Sequence, residues 1–350
     1  MTPESQNPLG LDGFAFAEFT SPDPAAMAAQ FEQLGFVPAA TKAERGLTLY
    51  RQGRINIILN ASADGQAAEF RASHGPSANA MGFNVGDAEQ AYRFALERGA
   101  TAADTDRSAL PGARAIEGIG GSLLYLVSSD PFADWDEVPG WQEAAAQNGV
   151  GLDLLDHLTH NVRRGQMRVW AEFYGKIFGF EEQKYFDIKG KATGLFSQAM
   201  IAPDRAIRIP LNESQDDKSQ IEEFIRDYNG EGIQHLALTT DDIFETVEKL
   251  RARGVRLQDT IETYYELVDK RVPGHGEDLE RLKRNRILID GDVKDEGILL
   301  QIFTENMFGP IFFEIIQRKG NEGFGNGNFQ ALYESIELDQ IRRGVITVDA

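Results

Sequence analysis

The chain has 350 residues, 42% hydrophobic and 26% charged, enough for two domains with ordinary cores. A formal net charge of −20 sets it against phosphate backbones and excludes a nucleic-acid partner, and no run of about 18 apolar residues is present to cross a membrane. Cysteine is absent, which excludes disulfides and thiolate ligation and leaves any metal to His, Asp or Glu, a set that suits iron, manganese or zinc.

In chain order, the opening residues 1–7 show no basic stretch followed by an apolar core, which argues against a secretory signal and for a cytoplasmic protein. Leu11-Asp12-Gly13 then opens a segment that runs to Leu34-Gly35-Phe36. Asn79-Ala80-Met81-Gly82-Phe83 leads to Asp87 and a helical stretch ending at Glu97-Arg98-Gly99, and Gly121-Ser122-Leu123-Leu124-Tyr125-Leu126 follows. The stretch 130–150, with Asp, Pro, Gly and Gln, reads as a linker. The same series then returns. Leu155-Asp156-His157 runs to Phe178-Gly179-Phe180, Gln234-His235-Leu236-Ala237-Leu238 leads to Asp242 and a helix ending at Arg253-Gly254, and Gly309-Pro310-Ile311-Phe312-Phe313-Glu314 closes the set.

Local patterns agree with a repeated unit of strand, amphipathic helix and further strands. A helix over 166–178 carries Met167, Trp170, Tyr174 and Ile177, and one over 242–253 carries Ile243, Val247 and Leu250, at spacings of three and four. Ser219 with Glu222 forms a capping box before Ile221, Phe224 and Ile225, and Gly230 stands where that helix ends. The charged, Gly-containing stretch 270–297 reads as a surface loop. After Gly327, Phe329, Leu332, Tyr333 and Ile336 recur at helical spacing, which predicts a helix over about 328–342 acting as a lid, with Gly323, Gly325 and Gly327 as its hinge. The expected division is two domains, 1–150 and 151–350, each of two strand–helix–strands modules.

The repeat exposes an asymmetry. Where the first half has Gly13, Ala80 and Leu126, the second has His157, His235 and Glu314. Two imidazoles and one carboxylate are the ligand set of facial-triad iron(II) oxygenases, which keep coordination positions open for substrate and dioxygen. No short metal motif joins the three; a lone strand histidine is more often a satisfied core residue, and the matched placement carries the argument. Alternation puts Phe312, Glu314 and Ile316 on one face, His157 and Asn161 on one face with His160 on the other, and Gln301 with Phe303. His160 and His275 read as surface or supporting residues and His74 as structural. The Gly-rich stretches 118–121 and 323–327 lack the Lys-Ser/Thr and strand-to-helix setting of a phosphate loop.

Asp156-His157-Leu158-Thr159-His160-Asn161-Val162, Gly232-Ile233-Gln234-His235-Leu236-Ala237 and Phe312-Phe313-Glu314-Ile315-Ile316-Gln317-Arg318 resemble the three metal-ligand strands of the 4-hydroxyphenylpyruvate dioxygenase family. Gly323-Phe324-Gly325-Asn326-Gly327-Asn328-Phe329 is similar to its C-terminal signature, and the likeness, closest to bacterial members, runs over nearly the whole chain. The resemblance implies an α+β protein of the vicinal oxygen chelate (glyoxalase/extradiol dioxygenase-like) fold. Each of its two domains would hold two βαβββ modules in an open barrel, the first non-catalytic and the second catalytic. It implies Fe(II) on His157, His235 and Glu314. Gln220, Gln234, Gln301 and Asn212 would be catalytic, and Ser197, Pro210, Phe303, Phe312, Phe324, Asn328 and Phe329 would bind substrate. The implied reaction takes 4-hydroxyphenylpyruvate and O2 to homogentisate and CO2 in tyrosine and phenylalanine catabolism, in a homo-oligomer, a dimer or tetramer. The alternatives are 4-hydroxymandelate synthase, which shares the triad, and a metal-free binding protein of the same fold.

Overall fold

The computed structural model describes residues 7–189 and 194–328. Among these residues the chain forms two compact units. One comprises the residues up to Gly149 with Asp153–Leu236 and Asn306–Phe312, the other Val150–Leu152, Ala237–Glu305 and the residues from Phe313 on.

The first half of the chain supplies an eight-stranded sheet from β1 (Phe14–Thr20), β2 (Val37–Lys42), β3 (Leu47–Gln52), β4 (Ile55–Asn60), β5 (Ser77–Asn84), β6 (Ala115–Glu117), β7 (Leu123–Val127) and β8 (Asp136–Glu137). Their spatial order is β6-β7-β5-β1-β4-β3-β2-β8. β1 runs parallel to β4 and antiparallel to β5, and β5 runs parallel to β7. The parallel neighbours are possible because a helix crosses between them: Pro24–Gln33 follows β1 and Ala88–Glu97 follows β5. Both helices start on an aspartate whose carboxylate accepts a backbone N–H, Asp23 from Ala26 (3.0 Å) and Asp87 from Gln90 (2.8 Å).

The second half builds β9 (Leu152–Val162), β10 (Glu181–Lys189), β11 (Gly194–Ile201), β12 (Arg208–Ser214), β13 (Gly232–Thr240), β14 (Leu288–Asp292), β15 (Gly297–Phe303) and β16 (Phe312–Lys319). The order is β10-β11-β12-β9-β13-β16-β15-β14, so β13-β9-β12-β11-β10 repeats the plan of β5-β1-β4-β3-β2. β9 is parallel to β12 as β1 is to β4. The expected helices are present as Met167–Phe178 and Ile243–Ala252, the latter capped by Asp242 on Glu245 N–H (3.0 Å), the counterpart of Asp87. Ser219 accepts from Glu222 N–H (3.4 Å) at the start of helix Gln220–Asp227.

Two expectations are corrected. The stretch read as a linker contains helix Trp141–Asn148 and β8, which pairs with β2. The stretch read as a surface loop contains helix Leu279–Asn285 and β14. Its buried apolar positions Leu282, Ile287, Leu288 and Ile289 make too short a run to show a period. Of the two readings given for His160, surface or supporting, the supporting one fits, since it is fully buried. The predicted lid helix over 328–342 lies outside the described residues after its first position.

The interior of the first sheet is packed with Phe16, Leu47, Leu49, Ile58, Leu123, Tyr125, Phe132 and Trp135. Each large apolar side chain so buried contributes about 1.5–3 kcal/mol. One acid enters this core. Glu18 pairs with Ile58 on β4 and with Ala80 on β5, both core residues, so its side chain shares their face. Its Oε1 accepts from Asn60 Nδ2 and Asn79 Nδ2, each at 2.7 Å. The register of β1 with β5 shifts just past Glu18; this bulge aims Asn79, which simple alternation would turn away, toward the carboxyl.

Candidate metal centre and pocket

Three neighbouring strands of the second sheet carry the proposed ligands: His157 on β9, His235 on β13 and Glu314 on β16. All three are buried, and one ligand atom from each lies within 4.8 Å of the others. The rings of His157 and His235 stand 5.5 Å apart at 76°. Phe312 stacks on His235, with centroids 4.8 Å apart and 17° between planes.

Each histidine is held by the residue before it. His157 Nδ1 is 2.8 Å from Asp156 Oδ2, and His235 Nδ1 is 2.9 Å from Gln234 Oε1. Oxygens of a carboxylate and of an amide accept, so both Nδ1 atoms donate, and in the neutral ring each Nε2 then keeps the lone pair a metal requires. Asp156 is itself tied to Arg208, 3.5 Å away, and Arg208 pairs with His157 across β9 and β12. Two imidazoles engaged through Nδ1 and a carboxylate, buried with their ligand atoms close together, fit a divalent first-row ion. Thr159, two residues past His157 on the same face, places Oγ1 3.0 Å from His235 Nε2. The other face of β9 packs against helix Met167–Phe178, where His160 Nε2 meets Tyr174 hydroxyl at 2.7 Å. Burial pushes the His160 imidazole down to about 3, so it is neutral.

The register also orders the predicted pocket residues. Ser197 pairs with Asn212 and Asn212 with Asn161, which aligns the three in one row on the His157 face; Asn212 Nδ2 donates to Asn161 Oδ1 (3.4 Å). Pro210, two residues before Asn212, shares that face and pairs with Ala199. On the β15–β16 hairpin, Phe303 pairs with Glu314 and Gln301 with Ile316, so all four share a face, as alternation predicted. Gln301 Oε1 accepts from Asn328 Nδ2 (3.3 Å), while Asn328 Oδ1 accepts from Tyr264 hydroxyl (2.6 Å). Gly325, at φ 70°, lies so close that a Cβ there would meet Gln301 Oε1 at 1.6 Å, and a Cβ on Gly327 would meet Asp290 Oδ1 at 2.1 Å. These glycines permit close packing of the C-terminal signature on Gln301 and Asp290. Phe324 is half-buried, with the Arg318 guanidinium 5.9 Å from its ring centre. Gln220 is exposed on the first turn of its helix, and Phe329 lies outside the described residues.

Asp156, Thr159, Arg208 and Tyr264 escaped the sequence reading. Thr159 was findable, since it alternates with His157 and Asn161. Arg208 and Tyr264 were not, because strand register and a distant helix bring them in.

Residues 5–138 match the family described as "Hydroxyphenylpyruvate dioxygenase, HPPD, N-terminal", and residues 154–267 match the Glyoxalase/Bleomycin resistance protein/Dioxygenase superfamily. A 4-hydroxyphenylpyruvate dioxygenase of Pseudomonas aeruginosa is 56% identical, with 98% of each chain covered. Hemolysin VllY of Vibrio vulnificus is 54% identical over 97% of this chain and 98% of its own. Among solved structures, a mutant 4-hydroxymandelate synthase from Streptomyces coelicolor aligns with TM-score 0.80 and 28% identity, covering 95% of this chain and all (100%) of that one. The fold is accordingly that of the vicinal oxygen chelate superfamily. Identity at this level and over this length, joined to a buried His-His-Glu group on neighbouring strands, leaves one conclusion: the chain belongs to the 4-hydroxyphenylpyruvate dioxygenase family.

Proposed function

We propose that this chain is an Fe(II)-dependent dioxygenase that converts 4-hydroxyphenylpyruvate and O2 to homogentisate and CO2, with His157, His235 and Glu314 holding the iron. The observation that carries the reading is the burial of those three side chains together in a chain of this family. Held by His157, His235 and Glu314, the iron would supply the redox chemistry with dioxygen.

The chain's own residues do the rest. Asp156 and Gln234 hold the two imidazoles in the ligating form. Asn212 and Gln301 are polar groups on the two ligand-bearing faces and serve to orient the phenol; Gln301 is itself fixed by Asn328. Gln234 acts on the reaction through His235, and Gln220 joins the set from the start of its helix. Ser197, Pro210, Phe303, Phe312, Phe324 and Asn328 line the substrate, with the phenylalanines packing on its ring and excluding water. Residues 1–150 serve as a non-catalytic domain and 151–350 as the catalytic one, in a cytoplasmic homo-oligomer. No helix among the described residues is long and apolar enough to cross a membrane.

The test is to load the full chain anaerobically with Fe(II), add 4-hydroxyphenylpyruvate, admit oxygen and identify the product. Homogentisate is expected; hydroxymandelate would assign the synthase reaction instead, and no product at all would refute the reading.

A further inference from the structure

Thr159 is 2% exposed and faces the same side of β9 as His157. Its hydroxyl oxygen lies 3.0 Å from His235 Nε2, the nitrogen left for the metal once Nδ1 donates to Gln234. With Nδ1 donating to Gln234, the neutral ring accepts at Nε2, and in that form Thr159 is the donor. Hydroxyl and metal therefore compete for one lone pair.

On the metal-site reading above, we propose that Thr159 is a positioning residue, a latch on His235: its hydroxyl holds the ring in the ligating form until the metal arrives and must release Nε2 when it does. The latch has two consequences of opposite sign. It lets a buried imidazole keep its lone pair satisfied without turning over or taking a second proton, since a buried acceptor left unpaired is costly. It also opposes the metal, because a buried hydrogen bond is given up on binding. At the usual net worth of one such bond, that opposition amounts to about 2- to 10-fold in metal affinity. Gln234 still fixes the ring when the hydroxyl is gone, so removing the latch tightens binding. His157 is held differently, through a carboxylate tied to Arg208.

The experiment titrates the metal-free full chain with Co(II) against a competing chelator, reading visible absorption, for wild type, Thr159→Val and Thr159→Ser. Valine keeps the shape and removes the hydroxyl; serine keeps the hydroxyl. The expected result is that Thr159→Val binds Co(II) about 2- to 10-fold more tightly and Thr159→Ser binds like wild type. Imidazole 15N shifts of the metal-free wild type should show His235 protonated on Nδ1 and bare on Nε2, and they decide alone if Thr159→Val does not fold. Unchanged or weaker Co(II) binding in Thr159→Val, or a proton on Nε2, overturns the latch while leaving the metal site standing. A wild-type chain that binds no Co(II) overturns the metal site and the latch together.

Discussion

In the first half, β1 brings Phe16 and Glu18 into a core of Leu47, Leu49, Ile58 and Tyr125. In the second, β9, which holds the matching place in the strand order, brings His157, Thr159 and Asn161 to a face shared with Asn212. The scaffolds agree down to the aspartate that caps the helix after β5 and after β13. The side chains do not. Glu18 meets two amides and apolar neighbours, and burial raises its carboxyl above the usual range despite those hydrogen bonds and the more distant Arg45. His157 and His235 meet acceptors at Nδ1, which turns their second nitrogens toward the ligand group. One strand plan therefore supports either an apolar core around a buried acid or a ligand set for a metal, and a handful of residues decides which. The first half is not a ligand site with its metal removed. Gly13, aligned with His157, has φ 76°, a conformation histidine adopts only at a cost, and Ala80, aligned with His235, pairs with Glu18.

The largest expected effect separates the halves outright. Glu314→Ala should reduce homogentisate formation to background with the far-ultraviolet circular dichroism unchanged, because a methyl group cannot offset the ion's charge. Glu18→Gln should keep full turnover, and a Glu18 variant that lost its metal would break the comparison.

Next in size is acid sensitivity. The His160 value is depressed to about 3 from an ordinary 6.5, so the folded state binds the proton less readily than the unfolded one. The associated stability is complete above pH 6.5 and is lost as pH falls toward 3, at a limiting slope of about 1.4 kcal/mol per pH unit. Urea unfolding of His160→Gln between pH 7 and 4 should show that slope reduced; an unchanged slope would mean that His160 does not titrate on unfolding.

A smaller effect belongs to Asp156→Asn, which keeps an acceptor for His157 but drops the charge. Metal affinity should fall about tenfold, by chelator competition. No change would show that the acceptor suffices and the carboxylate does not matter.

The smallest effect lies in the first half. With its folded value raised, Glu18 favours the protonated form in the folded state; the stability it contributes is complete below the ordinary 4.5 and is lost as pH rises through the folded value. Melting temperatures of Glu18→Gln should fall less than those of wild type as pH rises from 5 to 9.

Sequence periodicity located β9, β13, β16 and the two long helices, because strands two-faced by burial and helices with apolar stripes write their geometry into residue spacing. The repeat then pointed to His157, His235 and Glu314. Spacing could not show that Asp156 reaches back along its own strand to His157, since alternation turns neighbours to opposite faces. Nor could it show Arg208, which strand pairing brings beside His157, or Tyr264, which meets Asn328 from a helix far away in sequence. Gly325 and Gly327 also stand in close approach to Gln301 and Asp290, which spacing could not show because it depends on what stands opposite them. Helix Leu279–Asn285 and β14 escaped notice because each is shorter than the window a period needs.

The most direct test of the difference between the halves is the metal stoichiometry of the full chain, by anaerobic Fe(II) titration. One equivalent per chain is predicted, lost in His235→Ala and kept in Glu18→Gln. Two equivalent sites per chain, or one that survives His235→Ala, would contradict the assignment of the metal to the second half alone.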